Sequence, residues 1–95
     1  MTAQPYRTTP VFDERSLPLG LRRDHSTKAG VWGVIRVLDG RLRLFRSEGA
    51  RDLAPGRPGL VAPEQVHRVE PVGRVRMQVE FYAGEPLLME AQPIG

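Results

Sequence analysis

The chain of 95 residues contains no cysteine, a single lysine (Lys28) and a single tryptophan (Trp32). The absence of cysteine excludes disulfide bonds, thiol chemistry and zinc sites built on cysteine. No apolar run approaches the roughly 18 residues that a membrane span requires, so we expect no membrane association. The N-terminal residues show no apolar segment behind a basic start, so no secretory signal is visible and we expect a cytoplasmic protein.

The basic residues do not form a nucleic-acid-binding pattern. Thirteen of the fourteen are arginine, they are spread along the chain among acidic residues, and the net charge is only +3. Neither a basic run nor a basic stretch with interleaved aromatic residues is present. We therefore expect no nucleic-acid partner.

Ten glycines and nine prolines separate short apolar segments, a pattern typical of an all-β sandwich or barrel. No segment keeps a helical apolar period, although residues 86–92 are compatible with one helical turn. We expect one domain over residues 1–95, with a core in about 9–82 and short flexible termini in the first eight and last five residues. The predicted strands are Pro10–Phe12, Leu19–Asp24, Val31–Leu38, Arg41–Arg46, Gly59–Ala62, Val66–Glu70 and Arg74–Tyr82.

The Asp39-Gly40 pair lies between two alternating runs, which predicts a β-hairpin with a type I′ turn. The proline-rich stretch between residues 54 and 63 belongs at turns and sheet edges, because proline cannot donate to a strand ladder. Alternation within the strands predicts which side chains face the core. The predicted core consists of Ile35, Val37, Leu42, Leu44, Val69, Met77, Val79 and Phe81.

Both histidines of the chain, His25 and His67, lie at the edges of predicted strands. An antiparallel fold that brought the two imidazoles together would form a candidate metal or proton-transfer site. A structural role for each histidine, on the surface or in a hydrogen bond, is the alternative.

Several motifs of the chain have an order and spacing that match a known family. They cover roughly residues 9–82 and consist of Pro10-Val11, His25, Thr27-Lys28, Gly30, Trp32-Gly33, Val37, Gly40, Pro63-Glu64, His67, Val69-Glu70 and Phe81-Tyr82. On these residues the chain resembles the cupins. More narrowly, it is similar to the small tellurite-resistance-related family, which occurs alone and fused to the tellurite-resistance methyltransferase.

The resemblance implies a small cupin-like antiparallel β-barrel (a double-stranded β-helix) with a site at the barrel mouth. The chain departs from the metal-binding cupins, because only His25 lies in the first motif, and Lys28 and Gly33 stand near the positions of a second histidine and a glutamate. The remaining metal ligands are His25 and His67, with Glu80 or Glu70 as the oxygen donor and Glu80 preferred. A divalent metal there, whether zinc, iron or nickel, is a possible cofactor.

Lys28, Thr27 and Trp32 are candidate ligand-binding residues beside this site. Two of them have a simpler alternative role: Lys28 as a solvated loop residue, and Trp32 as an anchor in the core or at a dimer interface. Glu70 also has a simpler alternative role, as an exposed carboxylate or as the partner of an arginine such as Arg68.

Three functions remain open from the sequence. The first is a small cupin-like protein that binds a metal ion or a small polar or anionic ligand in a response to tellurite, other oxyanions or nitrosative stress. The second is a metal-dependent enzyme of the oxygenase or hydrolase type, which the incomplete ligand set disfavours. The third is an interaction module without metal.

We also expect a homodimer, because a barrel of this size exposes strand edges. The chain has too few residues for a methyltransferase domain and no glycine-rich cofactor loop.

Overall fold

Strands account for most of the fold, which confirms the predicted all-β class. The computed structural model describes residues 4–88. Its elements are β1 (Arg7–Thr8), β2 (Phe12–Asp13), a 3-10 helix (Leu19–Arg22), β3 (Trp32–Arg46), β4 (Gly49–Leu53), β5 (Gly59–Val61) and β6 (His67–Tyr82). Across these residues no helix is long and apolar enough to cross a membrane.

The six strands form one antiparallel sheet around the long pair β3 and β6. This pair runs from Trp32 opposite Tyr82 to Arg46 opposite His67. On its other edge β3 pairs with β5 along its first half and with β4 along its second half. The two short strands β1 and β2 pair with the second half of β6. The described strand pairings leave the sheet open, an arrangement compatible with the predicted barrel.

The core lies on the inner face of this sheet. Seven of the eight predicted core residues are buried, and the exception is Phe81, which is half-buried and packs against the core. Leu17, Leu53, Val61 and Val75 complete the buried cluster.

The predicted Asp39-Gly40 hairpin is wrong, because both residues lie inside the continuous strand β3. Gly40 has a φ of 81° and pairs with Val75, between two register shifts in the β3–β6 ladder. The first shift inserts one extra residue into β3, which reverses the alternation of its side chains. Ile35 and Leu44 therefore point into the same core although a regular strand would place them on opposite faces.

Other predicted boundaries also need correction. Leu19–Asp24 was predicted as a strand and contains the 3-10 helix instead, and β4 was not predicted. The two strands predicted before and after Pro71 are one strand, β6, because Pro71 lies at a register shift, where proline is tolerated. Arg7–Thr8, expected to be frayed, form β1. Residues 86–88 are not helical. The rest of the predicted turn, residues 89–92, lies outside the described residues, as do the last five residues and residues 1–3.

Candidate functional site

A loop between the 3-10 helix and β3 brings His25 to His67 at the start of β6. The two residues form an isolated antiparallel bridge: the His25 amide donates to the His67 carbonyl at 3.0 Å, and the His67 amide donates to the His25 carbonyl at 2.8 Å. Thr27 further ties the loop to the segment before β6, because its hydroxyl donates to the Ala62 carbonyl and its carbonyl accepts from the Glu64 amide. Backbone contacts therefore fix the position of both histidines.

The two imidazole rings are in contact, with their centroids 4.0 Å apart and their planes tilted by 58°. Nδ1 of His25 lies 2.8 Å from the Arg23 carbonyl oxygen, and Nδ1 of His67 lies 2.9 Å from that of Gln65. Because a carbonyl oxygen only accepts, each Nδ1 must carry the hydrogen. Nε2 of each neutral ring then carries a lone pair, and it has no hydrogen-bond partner within residues 4–88.

His67 is buried, with only 5% of its surface exposed. Burial lowers the pKa of His67 below its usual range, and the neighbouring His25 and Arg46 lower it further. The hydrogen bond to the Gln65 carbonyl opposes this shift only in part. The folded state therefore favours the neutral form of His67.

Both histidines line a cavity of about 290 Å³ on the inner face of the sheet. Its floor is apolar and is formed by the buried side chains of Ile35, Val61, Val69, Met77 and Val79. Polar and exposed side chains stand at its rim: Tyr6, Arg7, Ser26 and Lys28.

The rim of this cavity is positively charged. Arg7 and Lys28 line it, and no aspartate or glutamate of the described chain does. In the part of the chain that the structure describes, neither cation forms an ion pair. Two unpaired cations beside two histidines produce a local field that attracts anions.

Of the predicted site residues, the structure brings four together: His25, His67, Thr27 and Lys28 all line the cavity. Trp32 does not. It is the first residue of β3, and its neighbour Gly33 lines the cavity, so alternation along the strand places Trp32 on the other face.

The two predicted carboxylate ligands lie away from the histidines. Oε1 of Glu80 accepts hydrogen bonds from Arg36 Nε and from the Tyr82 hydroxyl, both at 2.9 Å. Glu70 pairs with Arg68 at 2.7 Å, the alternative that the sequence had left open. Both glutamates occupy even positions in β6, whereas the residues of β6 that line the cavity occupy odd positions. The structure therefore does not bring Glu70 or Glu80 to the two histidines.

The side chains around the histidines do not fit the metal centre of a cupin. Residues 4–88 contain no group of three or more histidine, cysteine, aspartate or glutamate side chains able to hold a metal ion. A catalytic zinc or non-haem iron site takes three protein ligands. Two imidazoles beside Lys28 and Arg7 lack both the third donor and the negative charge that would offset a divalent cation.

Several cavity residues were not predicted from the sequence. Tyr6 and Arg7 were missed because β1 is only two residues long and carries no alternation. Leu21 and Val31 were assigned to strands but not to the site. No motif in the sequence marks these four residues as neighbours of the histidines.

Comparison with known proteins identifies relatives of this chain. The sequence profile of the TehB-like domain matches residues 7–79, which confirms the resemblance to the tellurite-resistance-related family. A protein of Haemophilus influenzae named as a probable S-adenosyl-L-methionine-dependent methyltransferase, TehB, is 31% identical over 72 residues. That match covers 68% of this chain and 25% of the relative, so the chain spans about a quarter of the curated relative's length.

Two solved structures share the fold. The crystal structure of TehB from Haemophilus influenzae superposes with a TM-score of 0.77 at 28% identity, over 85% of this chain and 31% of TehB. A protein from Escherichia coli strain K12 superposes with a TM-score of 0.79 at 18% identity, over 88% of this chain and 93% of its own. The same fold thus occurs within a longer chain and in a chain of similar length.

Proposed function

Because the chain belongs to the TehB-like domain family, we propose that it is a binding domain for a small polar or anionic ligand, which it holds in the two-histidine cavity. The resemblance to the tellurite-resistance-related family favours a role in the response to tellurite, other oxyanions or nitrosative stress. The methyltransferase activity named for the longer relative is not part of this proposal, because the chain spans only a quarter of that protein.

The observation that carries the proposal is the charge distribution of the cavity. Its rim presents Lys28 and Arg7, and no carboxylate of the described residues lines it. A cationic rim attracts and orients an anion, and a partly enclosed site screens that attraction less than open water does.

The experiment is a calorimetric titration of the protein with sodium tellurite, selenite and nitrite at low ionic strength. We expect saturable binding of at least one anion, and we expect Lys28→Ala and Arg7→Ala each to weaken it by about two- to fivefold, the usual range for an exposed charge. The matched control is Arg74→Ala, which also removes one exposed positive charge but lies outside the cavity, beside Asp13 and Glu14. Equal losses in all three variants would indicate a general charge effect and contradict binding in the cavity.

Metal binding is a second candidate, and one observation favours it. Both Nδ1 atoms donate to backbone carbonyls, which leaves both Nε2 lone pairs available, as is usual for histidines that ligate metals. Elemental analysis of protein purified without a histidine tag tests this candidate for zinc, iron and nickel. Stoichiometric metal that is lost in His67→Asn would support it, and metal well below one ion per chain would contradict it.

A further inference from the structure

We propose that the cavity binds a small organic acid, whose apolar body packs on the cavity floor and whose acid group is held by His25 and His67 together with one proton. The inference rests on the proposed function, because it names the chemical class of the ligand for the same cavity.

The floor of the cavity selects for an apolar body. Five buried aliphatic or thioether side chains form it, and none of them has a hydrogen-bond donor for a bare oxyanion. An inorganic oxyanion at the floor would lose its hydration without compensation, whereas a hydrocarbon chain gains from leaving water. The volume of about 290 Å³ lies at the lower end of small-molecule sites, so it suits a few carbon atoms rather than a large ligand.

The histidines select for an acid that arrives with a proton. Because each Nδ1–H is held by a backbone carbonyl, a neutral ring offers only an acceptor at Nε2. Such an acceptor repels a carboxylate oxygen and binds an acid O–H. One carboxylate and one proton therefore bind from solution, and the proton is shared in a hydrogen bond between a carboxyl oxygen and Nε2. Apart from this shared proton, no covalent bond forms or breaks.

Proton and anion must bind together because of the charges around the pair. Arg46, which pairs with Glu48 at 3.3 Å, approaches His67 from β3, and Lys28 and Arg7 stand at the rim. The carboxylate adjacent in sequence to His25, Asp24, lies 3.8 Å from Arg68. Burial, the adjacent His25 and Arg46 disfavour a proton on His67 alone, and an arriving carboxylate offsets that penalty.

The experiment is a calorimetric titration with acetate, butyrate and hexanoate between pH 6.5 and 7.5, in two buffers of different ionisation enthalpy. We expect affinity to rise about fourfold for each added methylene group, as expected for its burial. The buffer comparison should show uptake approaching one proton per ligand at pH 7.5. Affinity should then rise by up to about tenfold per unit of falling pH. Pentylamine, with the pentyl chain of hexanoate and the opposite charge, is the matched control and should not bind.

Two variants test the contributions of the apolar floor and of the histidines separately. A Cβ added at Gly33 would meet only Thr27 Cγ2 at 3.7 Å and Val61 Cβ at 3.8 Å, so a Cβ fits there, and the γ methyl groups of Gly33→Val are placed to fill part of the cavity that Gly33 lines. We expect Gly33→Val to weaken the affinity for hexanoate at least tenfold and to leave the affinity for acetate unchanged. His25→Gln keeps the backbone bridge to His67 and supplies an amide donor that needs no proton, so proton uptake should fall.

The outcomes distinguish this inference from the proposed function. Equal affinity for acetate and hexanoate, or hexanoate binding without proton uptake, would contradict the organic-acid inference. The proposed binding of anions in the cavity would still stand. If neither the carboxylates nor the inorganic oxyanions bind, both proposals fail. The titrations of the unmodified protein decide between these results even if a variant does not fold.

Discussion

His67 is a buried titratable residue whose surroundings disfavour its charged form. Its ring is against that of His25, Arg46 contributes a positive charge, and no carboxylate lines the cavity within the described residues. The lowered pKa of His67 therefore links the stability of the fold to pH.

The stability of the protein should decrease as the pH falls below the usual histidine value of 6.5. In this window His67 becomes protonated in the unfolded chain but stays neutral in the folded chain. The unfolded state therefore binds more protons, and a falling pH favours the unfolded state. The effect continues down to the lowered pKa of the folded state, with a slope of at most about 1.4 kcal/mol per pH unit.

The measurement is denaturant unfolding of the unmodified protein and of His67→Asn at pH 7.5, 6.5 and 5.5. The difference between the two unfolding free energies should shrink as the pH falls, because only the unmodified protein carries the penalty. A difference that is independent of pH would contradict the buried, neutral state of His67.

The proximity of His25 and His67, with Thr27 and Lys28 beside them, was predictable from the sequence, but the other residues of the site were not. Both histidines flank strand-like runs, and antiparallel pairing brings such positions together. Glu70 and Glu80 lie away from the histidines because they occupy even positions in β6, on the face opposite His67. Alternation along the strand already indicates this, whereas nothing local in the sequence indicates that Tyr6 and Arg7 also line the cavity.

Gly40 occupies a backbone conformation that side chains other than glycine adopt at a cost. Its φ is 81°, and a Cβ at this position would collide with the carbonyl oxygen of Arg74 on β6. This close approach lies between the two register shifts of the β3–β6 ladder.

Gly40→Ala should lower the free energy of unfolding by at least about 2 kcal/mol, from left-handed strain plus the displacement of β6. Denaturant unfolding checks this, with Gly20→Ala as the control. Gly20 lies in the 3-10 helix with ordinary φ and open space around its Cβ position, so its change should stay within about 0.5 kcal/mol. Similar losses in the two variants would contradict the close approach at Gly40.

The mistaken hairpin shows why strand continuity could not be read from the sequence. A type I′ turn and a glycine at a bulge both need positive φ, and both leave alternating apolar runs on either side. The core prediction was correct because the bulge places Val37 and Leu42 on the same face of the sheet, as the predicted hairpin would have done. The long-range pairing of Gly40 with Val75 decides between the two structures, and local patterns carry no information about it.

At the scale of the whole molecule, the homodimer stays a prediction, and the exposed apolar side chains indicate where to test it. Tyr6, Val11 and Leu19 are large, exposed and close together in sequence near the short edge strands. Exposed apolar side chains beside short edge strands are typical of association surfaces.

Sedimentation equilibrium at micromolar concentration should give twice the chain mass of 10.6 kDa. Leu19→Asp should shift the protein toward monomer, whereas Leu87→Asp, at an even more exposed leucine outside the N-terminal segment, should not. A single species of 10.6 kDa for the unmodified protein would contradict the homodimer.

The composition of the whole chain gives the rim of the cavity a practical use. Lys28 is the only lysine in the sequence, and it is exposed at the cavity rim. Among the side chains, acylating reagents therefore have one primary amine to modify, and it stands at the entrance of the cavity. A fluorophore coupled there would report from the entrance, and slower coupling in the presence of a bound molecule would measure occupancy without any substitution in the chain.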